Sequence, residues 1–151
     1  MRIRLAKKSD AENISKLRGK IIERVFSKDY SKKVIGLLLE KHCAKKIEGQ
    51  IGEGRVFCLF DGEKLIGTIY LIGNKIGGLY LKRGYMGRGL GRKLLKYVER
   101  FAKKRGIKKL FLYSSLNAEG FYLKHGYKLV RDEIGFEEVG GIRVPVMEKR
   151  L

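Results

Sequence analysis

Residues 86–91 bring three glycines together between a predicted strand and a predicted helix. The run reads Met86-Gly87-Arg88-Gly89-Leu90-Gly91. Because successive backbone N–H groups at the start of a helix converge on an anion, this turn predicts a site for phosphate oxygens. Arg92 and Lys93 follow directly and, with Arg88, offer charge-assisted hydrogen bonds to phosphate. The pattern suits a pyrophosphate, although a purely structural turn before a helix is an alternative.

Two other phosphate-binding patterns do not fit this turn. A P-loop requires Gly-Lys followed by Ser or Thr, whereas the chain has Gly91-Arg92-Lys93-Leu94. The dinucleotide fingerprint requires its third glycine one place later than Gly91, and it normally opens the first strand-helix unit of a parallel domain. The turn is therefore neither a Walker A loop nor a dinucleotide-binding loop.

The neighbouring residues give the turn a specific resemblance. Residues 79–95, LYLKRGYMGRGLGRKLL, resemble motif A of the GNAT acetyltransferases, whose pattern is R/Q-x-x-G-x-G/A. Residues 117–127, NAEGFYLKHGY, resemble motif B of that family, and residues 141–149, GIRVPVMEK, resemble the last strand of many members. Met86 stands where the family carries Arg or Gln. Because backbone N–H groups do most of the cradling, we expect binding to survive this difference.

The resemblance implies an enzyme that uses acetyl-coenzyme A as acyl-donor cosubstrate and transfers the acetyl group directly to a primary amine. It implies that the strand ending near Leu81 offers a backbone N–H to the thioester carbonyl oxygen, and that Tyr122 is the catalytic acid that protonates the departing thiolate. The cofactor-binding residues that it implies are Leu79, Tyr80, Leu81, Met86, Gly87, Arg88, Gly89, Leu90, Gly91, Arg92, Asn117 and Lys124.

Simpler roles remain for three of these residues. Tyr122 can be a packing residue beside Phe121, Asn117 can be only a helix cap, and Lys124 can be an exposed helical lysine. His125 stands where relatives carry an apolar residue, so we assign it no catalytic role.

The sequence contains no glutamate where many relatives carry their general base. Many relatives carry a glutamate on the fourth strand, whereas residues 75–81, KIGGLYL, contain none. Glu119, Glu137 and Glu138 are candidates, and a water chain or an already neutral amine are alternatives. Gly77-Gly78 in the middle of this strand predicts a bulge or a close backbone approach, which would admit the acceptor.

The elements that position these residues follow from the apolar periodicity. A capping box at Ser9 and Glu12 predicts the start of a first helix, and Ser31 caps a second one that runs to about Gly49. Asp61-Gly62 predicts the turn of a hairpin, and Gly73-Asn74 predicts the next turn. The predicted strands are a short one at Ile3 and Leu5, then 55–60, 65–72, 75–82, 108–113, 127–134 and 142–149, with later helices from Leu90 to Gly106 and from Ala118 to His125.

This order, βααβββαβαββ, predicts an α+β (mixed α/β) fold with a mixed, mostly antiparallel sheet of six to seven strands and about four helices. The crossover through the helix after Leu90 favours one parallel strand pair. The length of 151 residues and the absence of a linker or repeat predict a single domain, residues 1–151.

The charge of the chain admits a rival function. Lys and Arg number 35 against 16 acidic residues, a net charge of +19, which attracts polyanions. A basic nucleic-acid-binding module is therefore an alternative, although no RRM, KH or zinc-finger pattern supports it. The excess can equally reflect a composition bias of the organism, since the lysines are spread along the chain.

Among acetyltransferases, a small-molecule amine is favoured over a protein N-terminus or lysine as acceptor. N-terminal acetyltransferases of this family usually carry a Glu-Val-Arg-like stretch before the motif B asparagine, whereas residues 111–116 read FLYSSL. The identity of the amine is not readable, and a homodimer is possible.

Cysteine and hydropathy patterns limit the other classes of function. Cys43 and Cys58 lie in apolar segments without metal-ligand spacing, and no motif ties His42 or His125 to them, so we predict neither a disulfide nor a metal site. No apolar stretch approaches the ~20 residues of a membrane span, and the start of the chain lacks a secretory signal. We therefore expect a cytoplasmic protein without membrane attachment.

Overall fold

The computed structural model describes residues 1–151 and contains seven strands and five α-helices. The α+β class predicted from the sequence is confirmed, with five helices instead of about four. In chain order the elements are β1 Arg2–Leu5, α1 Ala11–Val25, α2 Lys32–Lys41, α3 Ala44–Glu53, β2 Arg55–Asp61, β3 Lys64–Ile72, β4 Lys75–Leu81, α4 Leu90–Lys104, β5 Lys109–Tyr113, α5 Glu119–Lys124, β6 Lys128–Gly135 and β7 Ile142–Arg150.

All strands form one sheet in the order β1-β2-β3-β4-β5-β7-β6. Every neighbouring pair is antiparallel except β4 and β5, which are parallel, as the crossover through α4 predicts. The pairing of β4 with β5 is confined to Lys75 and Phe111. The two strands therefore diverge beyond this pair, and the edge of β4 that faces β5 is left without a ladder.

The helices cover the two faces of this sheet. Alternate side chains of β2 lie on opposite faces of the sheet. Phe57 and Leu59 pack in a cluster with α4. Val56, Cys58 and Phe60 pack with α1 and α3. The apolar stripe of α4, formed by Leu94, Leu95, Val98 and Ala102, is fully buried. The core is thus a three-layer sandwich with the sheet in the middle.

Two helix boundaries differ from the prediction. The capping box at Ser9 and Glu12 is wrong: α1 begins at Ala11 after a 3-10 turn, and Asp10 instead accepts the backbone N–H of Lys7 at 2.7 Å. Arg4 donates to the same carboxylate at 2.8 Å, which fixes Asp10 in that position.

The helix predicted from Ser31 to about Gly49 is two helices. Ser31 does cap α2, since its hydroxyl accepts the N–H of Val34 at 3.3 Å, but α2 ends at Lys41 and α3 begins at Ala44. The hydroxyl of Ser15 on α1 donates to the carbonyl of His42 at 2.8 Å and satisfies a group that a continuous helix would bond internally. This tertiary contact breaks the helix where the local sequence contains neither Gly nor Pro.

The bulge predicted at Gly77-Gly78 is confirmed. Tyr70 pairs with Gly77 and Thr68 pairs with Tyr80, so β4 carries one residue more than β3 over this interval. Gly78 has φ +59, and its carbonyl accepts the hydroxyl of Thr68 at 2.8 Å. The extra residue reverses the alternation of side chains.

The turns between the first strands follow the glycines. Gly62 and Gly73 have φ angles of +61 and +60, and each lies in the connection between two antiparallel strands. The first connection is Gly62-Glu63, one residue later than predicted, because Asp61 pairs with Lys64. None of the helices combines the length and the apolar character needed to cross a membrane.

Candidate active site

The divergence of β4 and β5 creates a cavity of about 470 Å³. Its walls come from the segment between α1 and α2 and from α2, from β4 and from α5, and the β6-β7 end covers it. Tyr80 belongs to the cluster on the α1 face, whereas Tyr122 belongs to the cluster on the α4 face, and both line the cavity. The cavity therefore connects the two faces of the sheet.

Aromatic side chains dominate this lining. The rings come from six different parts of the chain, which sequence periodicity cannot bring together. They are Phe26, Tyr30, Tyr70, Tyr80, Tyr113, Tyr122 and Phe136. Such a lining suits a small organic ligand.

Tyr122 lies on α5 with its ring buried and its hydroxyl toward the cavity. The residue is 6% exposed, and its ring makes edge contacts with Phe121 and Tyr127 at centroid distances of 5.4 and 5.6 Å. The hydroxyl has no hydrogen-bond partner in the protein. Unlike the hydroxyl of Tyr127, it is not fully buried. Burial raises the pKa of Tyr122 above its ordinary value, so the phenol is protonated at neutral pH. The packing role and a role in proton donation are therefore compatible.

The glycine-rich turn has the geometry of an anion cradle. Gly87 and Gly89 adopt φ angles of +75 and +74, and a Cβ at either position would meet no atom within 4 Å. Gly89 is the N-cap residue of α4, and Leu90 behind it is buried. The N–H groups at the start of the 15-residue helix α4 thus face open space, as a pyrophosphate would require.

Three cationic side chains lie on or next to this turn and leave its open space free. The guanidinium of Arg88 stacks on the ring of Tyr85 at 5.2 Å, and Arg92 and Lys93 are exposed on the first turn of α4. Gly91 lies 3.6 Å from the ring of Phe121, measured from where a Cβ would be. This contact places α5 and Tyr122 directly beside the start of α4.

Met86 occupies the position at which the motif A pattern has Arg or Gln, so a substitution there tests how residues 86–91 align with that pattern. Its side chain is 45% exposed, so an arginine has room to reach an anion at the cradle. We expect Met86→Arg to bind coenzyme A with affinity unchanged or up to about tenfold tighter, because one charge-assisted hydrogen bond is added. Isothermal titration calorimetry with coenzyme A measures the change, and a large loss of affinity would mean that the turn is aligned wrongly.

The residues of β4 that were predicted to bind the cofactor point in different directions. Leu79 lines the cavity and, with Leu81, packs on the α4 face, whereas the side chain of Tyr80 is on the α1 face. Lys82 donates its N–H to Ile66 of β3 at 2.7 Å. Because adjacent residues of a strand direct their N–H groups to opposite edges, the N–H of Leu81 faces the unpaired edge toward β5.

Asn117 and Lys124 are not part of the cavity lining. Asn117 is exposed and precedes the N-cap residue Ala118, and no side chain caps α5. The interpretation of Asn117 as a helix cap is therefore wrong. Lys124 is exposed at the last position of α5.

The three glutamates predicted as candidate bases do not line the cavity. Glu119 forms a two-pronged ion pair with Arg143, at 3.0 and 2.9 Å, and it does not line the cavity. Glu137 and Glu138 are exposed in a 3-10 turn outside the lining. Glu133 is the one carboxylate in the lining, and Arg131 holds it at 2.7 Å.

Sequence reasoning missed a buried polar cluster beside the cavity. The Arg18 guanidinium lies within hydrogen-bonding distance of Thr68, of Gln50 and of Nδ1 of His42, and Nε2 of His42 lies 3.3 Å from the hydroxyl of Tyr80. Burial and the nearby cations Arg18 and Lys41 lower the pKa of His42 to about 3, so the imidazole is neutral. One signal was available: Arg18 lies four residues from both Ile14 and Ile22, on the buried stripe of α1.

A second, larger cleft of about 740 Å³ lies between α1, the β2-β3 connection and the residues after β4. It is bordered by Lys16, Lys20, Arg24, Lys82 and Arg83, and Lys82 and Arg83 lead into the glycine-rich turn. Neighbouring Lys64 and Lys20 lower the pKa of Lys82, which shows how closely these cations lie. The positive potential of the molecule is therefore high next to the cradle.

Comparison with known families identifies the chain. Residues 26–151 match the Acetyltransferase (GNAT) domain family. The chain belongs to the GNAT acetyltransferases. It is therefore an acyltransferase, and the matched region includes both the glycine-rich turn and Tyr122.

Solved structures of GNAT proteins share this fold over almost the full chain. A GCN5-related N-acetyltransferase from Rhodopseudomonas palustris is 23% identical, with a TM-score of 0.91 over 99% of this chain and 95% of that one. The PaiA N-acetyltransferase from Thermoplasma acidophilum, solved with coenzyme A, is 27% identical, with a TM-score of 0.80 over 100% of both chains. An aminoglycoside 6'-N-acetyltransferase complexed with coenzyme A is 16% identical, with a TM-score of 0.71 over 99% and 97%. No curated protein sequence matches significantly.

Proposed function

We propose that this GNAT protein is an acetyl-coenzyme A-dependent N-acetyltransferase that acetylates the primary amine of a small molecule. One observation carries the proposal: β4 and β5 diverge at an aromatic cavity lined by Tyr122, and the helix that carries Tyr122 contacts the open glycine-rich start of α4 through Phe121 and Gly91. Two GNAT structures of the same fold, the PaiA protein and the aminoglycoside enzyme, contain coenzyme A, which supports this donor.

The donor would bind from the α4 face. The N–H groups at Gly87 to Gly91, with Arg88 and Arg92 beside them, would hold the pyrophosphate. An extended pantetheine arm needs backbone partners, and β4 offers them along the edge that β5 leaves unpaired. This arrangement directs the thioester toward the cavity between Leu79 and Tyr122.

The acceptor would enter from the α1 face and attack the thioester carbon directly. The new N–C bond forms while the C–S bond breaks, and the N–H of Leu81 is placed to stabilise the negative charge on the carbonyl oxygen. Tyr122 gives its proton to the departing thiolate and regains one from the acetylated nitrogen. The net reaction converts the amine and acetyl-coenzyme A into an amide and free coenzyme A.

The raised pKa of Tyr122 does not prevent this transfer. In water a phenol, with pKa about 10, is a weaker acid than an alkyl thiol, with pKa about 8.5. The thiolate, however, forms in the same cavity, where burial destabilises its negative charge as it does that of the phenolate. The two proton affinities therefore stay close enough for a hydrogen-bonded proton transfer.

A small acceptor fits the dimensions of the site. The hydroxyl of Tyr30 accepts the N–H of Leu116 at 2.9 Å and ties the segment before α2 to the loop before α5. Because Tyr30 also lines the cavity, this bond narrows the side from which an extended peptide would approach. The volume of about 470 Å³ suits a ligand of drug-like size or smaller.

Ligand-dependent stability tests the donor. We expect acetyl-coenzyme A at about 100 times its Kd to stabilise the protein by about 2.7 kcal/mol, which raises Tm by roughly 5–10 °C for a chain of this size. ATP and NAD serve as phosphate-bearing controls and should give a much smaller rise in differential scanning fluorimetry. An equal rise with all three ligands would indicate a general polyanion site instead of a coenzyme A site.

A further inference from the structure

Arg18 is a buried cation that has no carboxylate partner. The residue has an exposed fraction of 0%, yet its guanidinium contacts only neutral groups: the hydroxyl of Thr68 at 3.2 Å, the amide oxygen of Gln50 at 3.0 Å and the ring of His42 at 3.4 Å. Its Nη2 has no partner at all. Buried charges are normally paired, because an unpaired one is strongly destabilising. An uncompensated charge at this place therefore calls for a functional reason.

The guanidinium lies directly beneath the wall of the cavity. A Cβ on Gly78 would come within 2.7 Å of Nη2, and the centre of the Tyr80 ring is 5.6 Å from the guanidinium carbon. Gly78 and Tyr80 both line the cavity, whereas Arg18 itself does not. Only one layer of protein thus separates this positive charge from the space where the acceptor amine must bind.

No group around Arg18 neutralises its charge. The titratable residues that face it are His42 after α2, Cys58 on β2, Tyr70 on β3 and Tyr80 on β4. Burial raises the pKa of Cys58 and of Tyr80 to about 12, and the pKa of His42 is lowered to about 3. These three groups are all neutral at physiological pH. Burial lowers the pKa of Arg18, but a guanidinium pKa starts so far above neutrality that Arg18 stays protonated.

The charged residues in the cavity lining add to the positive field. Lys41 and Lys75 stand at its edge, the first stacked on Phe136 at 4.5 Å. The carboxylate of Glu133 is already paired with Arg131. Since the interior of a protein screens charge less than water does, the field of Arg18 is weakened less at the cavity wall than it would be in solvent.

We propose that the buried charge of Arg18 sets the acceptor class: the cavity takes an amine in its neutral form, with an aromatic or apolar remainder that is uncharged or anionic, and it disfavours polycations. This inference rests on the proposed acetyl transfer and makes Arg18 a specificity-determining residue that acts through its field. The aromatic lining accommodates the remainder of the acceptor. Polyamines and aminoglycosides carry additional ammonium groups, for which this cavity offers no unpaired carboxylate, since Glu133 is paired with Arg131.

The positive charge of Arg18 also explains how the enzyme can work without a dedicated general base. A nearby cation lowers the proton affinity of an amine, so the ammonium form of the acceptor gives its proton to bulk solvent before it enters. The neutral amine then attacks without needing Glu119, Glu137 or Glu138. His42 is a poor base here, because its pKa is about 3 and Nδ1 faces the Arg18 guanidinium.

The wild-type protein tests the acceptor class. We expect acetylation of phenethylamine, an aromatic monoamine, with kcat/KM at least about tenfold above that of spermidine, since one like charge at short range shifts such an equilibrium by about one pKa unit. Equal or better use of spermidine would overturn the inference. Acetyl-coenzyme A binding without acetylation of any amine would overturn the proposed function itself.

Arg18→Met tests the residue. Methionine replaces the unbranched aliphatic part of the arginine side chain without its charge, and such a replacement of a buried ion is often tolerated. We expect the acid limb of the kcat profile for phenethylamine to move to higher pH by about one unit, because the bound amine now holds its proton more tightly. Near neutral pH both kcat and KM for phenethylamine should fall, so that kcat/KM for this amine changes little. For spermidine, kcat/KM should rise about tenfold, because its additional ammonium groups are no longer repelled. A merely structural role would lower kcat/KM for both amines and leave the limb in place, which would overturn the proposal.

Two controls separate the possible outcomes. Lys16→Met removes an exposed positive charge from the same helix at the larger cleft, away from the cavity lining, and it should leave the profile and the preference unchanged. The NMR titration of His42 needs no acceptor: its pKa should rise in Arg18→Met and stay low in Lys16→Met. An unshifted His42 in folded Arg18→Met would overturn the role of Arg18 whatever the acceptor assays show.

Discussion

Replacing Tyr122 with phenylalanine is expected to lower turnover by at least about tenfold while coenzyme A still binds. The change removes one hydroxyl that faces the cavity and leaves the ring contacts with Phe121 and Tyr127 in place. Without this phenol the thiolate must leave unprotonated or take its proton from water. Steady-state release of free thiol measures kcat, and calorimetry measures the affinity for coenzyme A.

Tyr127 provides a matched control for this experiment. Its hydroxyl is buried without a hydrogen-bond partner, and the residue does not line the cavity. Because Tyr127→Phe removes a phenol hydroxyl that is not hydrogen-bonded, it should leave turnover unchanged and should not reduce stability. If Tyr122→Phe retains full turnover, Tyr122 is a packing residue and another group protonates the thiolate.

Gly89→Ala is expected to weaken coenzyme A binding by at least about tenfold, the largest effect that we predict for the glycine-rich turn. The φ of +74 is strained for alanine, and the added methyl group would project into the open space in front of the helix N-terminus. A loss of one or two hydrogen bonds to the pyrophosphate accounts for a change of this size. Calorimetric titration with coenzyme A measures it.

Gly106 separates the effect on the cradle from backbone strain. It adopts φ +79 just past the other end of α4, and a Cβ there also meets no atom within 4 Å. Gly106→Ala should therefore lower the free energy of unfolding by about 1 kcal/mol, as Gly89→Ala does, without changing the affinity for coenzyme A. Equal affinity in the two variants would place the phosphate site elsewhere.

Local patterns predicted the elements that carry the donor site. The period of 3.6 from Leu94 to Ala102 and the glycines at each end delimit α4 by short-range rules, and Gly77-Gly78 predicted the bulge in β4. These features depend on residues that are neighbours in sequence. The roles of the predicted site residues, Tyr122 and the glycine-rich turn among them, stay predictions that the variants test.

The acceptor side depends on contacts that no local pattern encodes. The break after α2 follows from a hydrogen bond between Ser15 and the carbonyl of His42, which are 27 residues apart. Without that break, the imidazole of His42 would not reach Arg18 and Tyr80. The aromatic cavity likewise draws its lining from several distant elements, so its chemistry emerges only when the sheet is assembled.

Arg18 shows what the sequence signalled and what it left open. A cation between Ile14 and Ile22 on an amphipathic stripe is a conflict with the pattern, and such conflicts mark functional or strained positions. The sequence could not show that its neighbours are neutral, since Thr68, Gln50 and His42 come from three other elements. The consequence for acceptor choice therefore required the three-dimensional arrangement.

The central claim is the direct transfer of an acetyl group from acetyl-coenzyme A to a primary amine. The most direct test incubates the protein with acetyl-coenzyme A and a panel of aromatic monoamines, amino acids, polyamines, aminoglycosides and peptides, and measures both the acetylated product by mass spectrometry and the free thiol. We predict an N-acetylated amine formed in equal amount to the coenzyme A released, with aromatic monoamines as the best acceptors. Release of coenzyme A without any acetylated amine, or no release at all, would contradict the account.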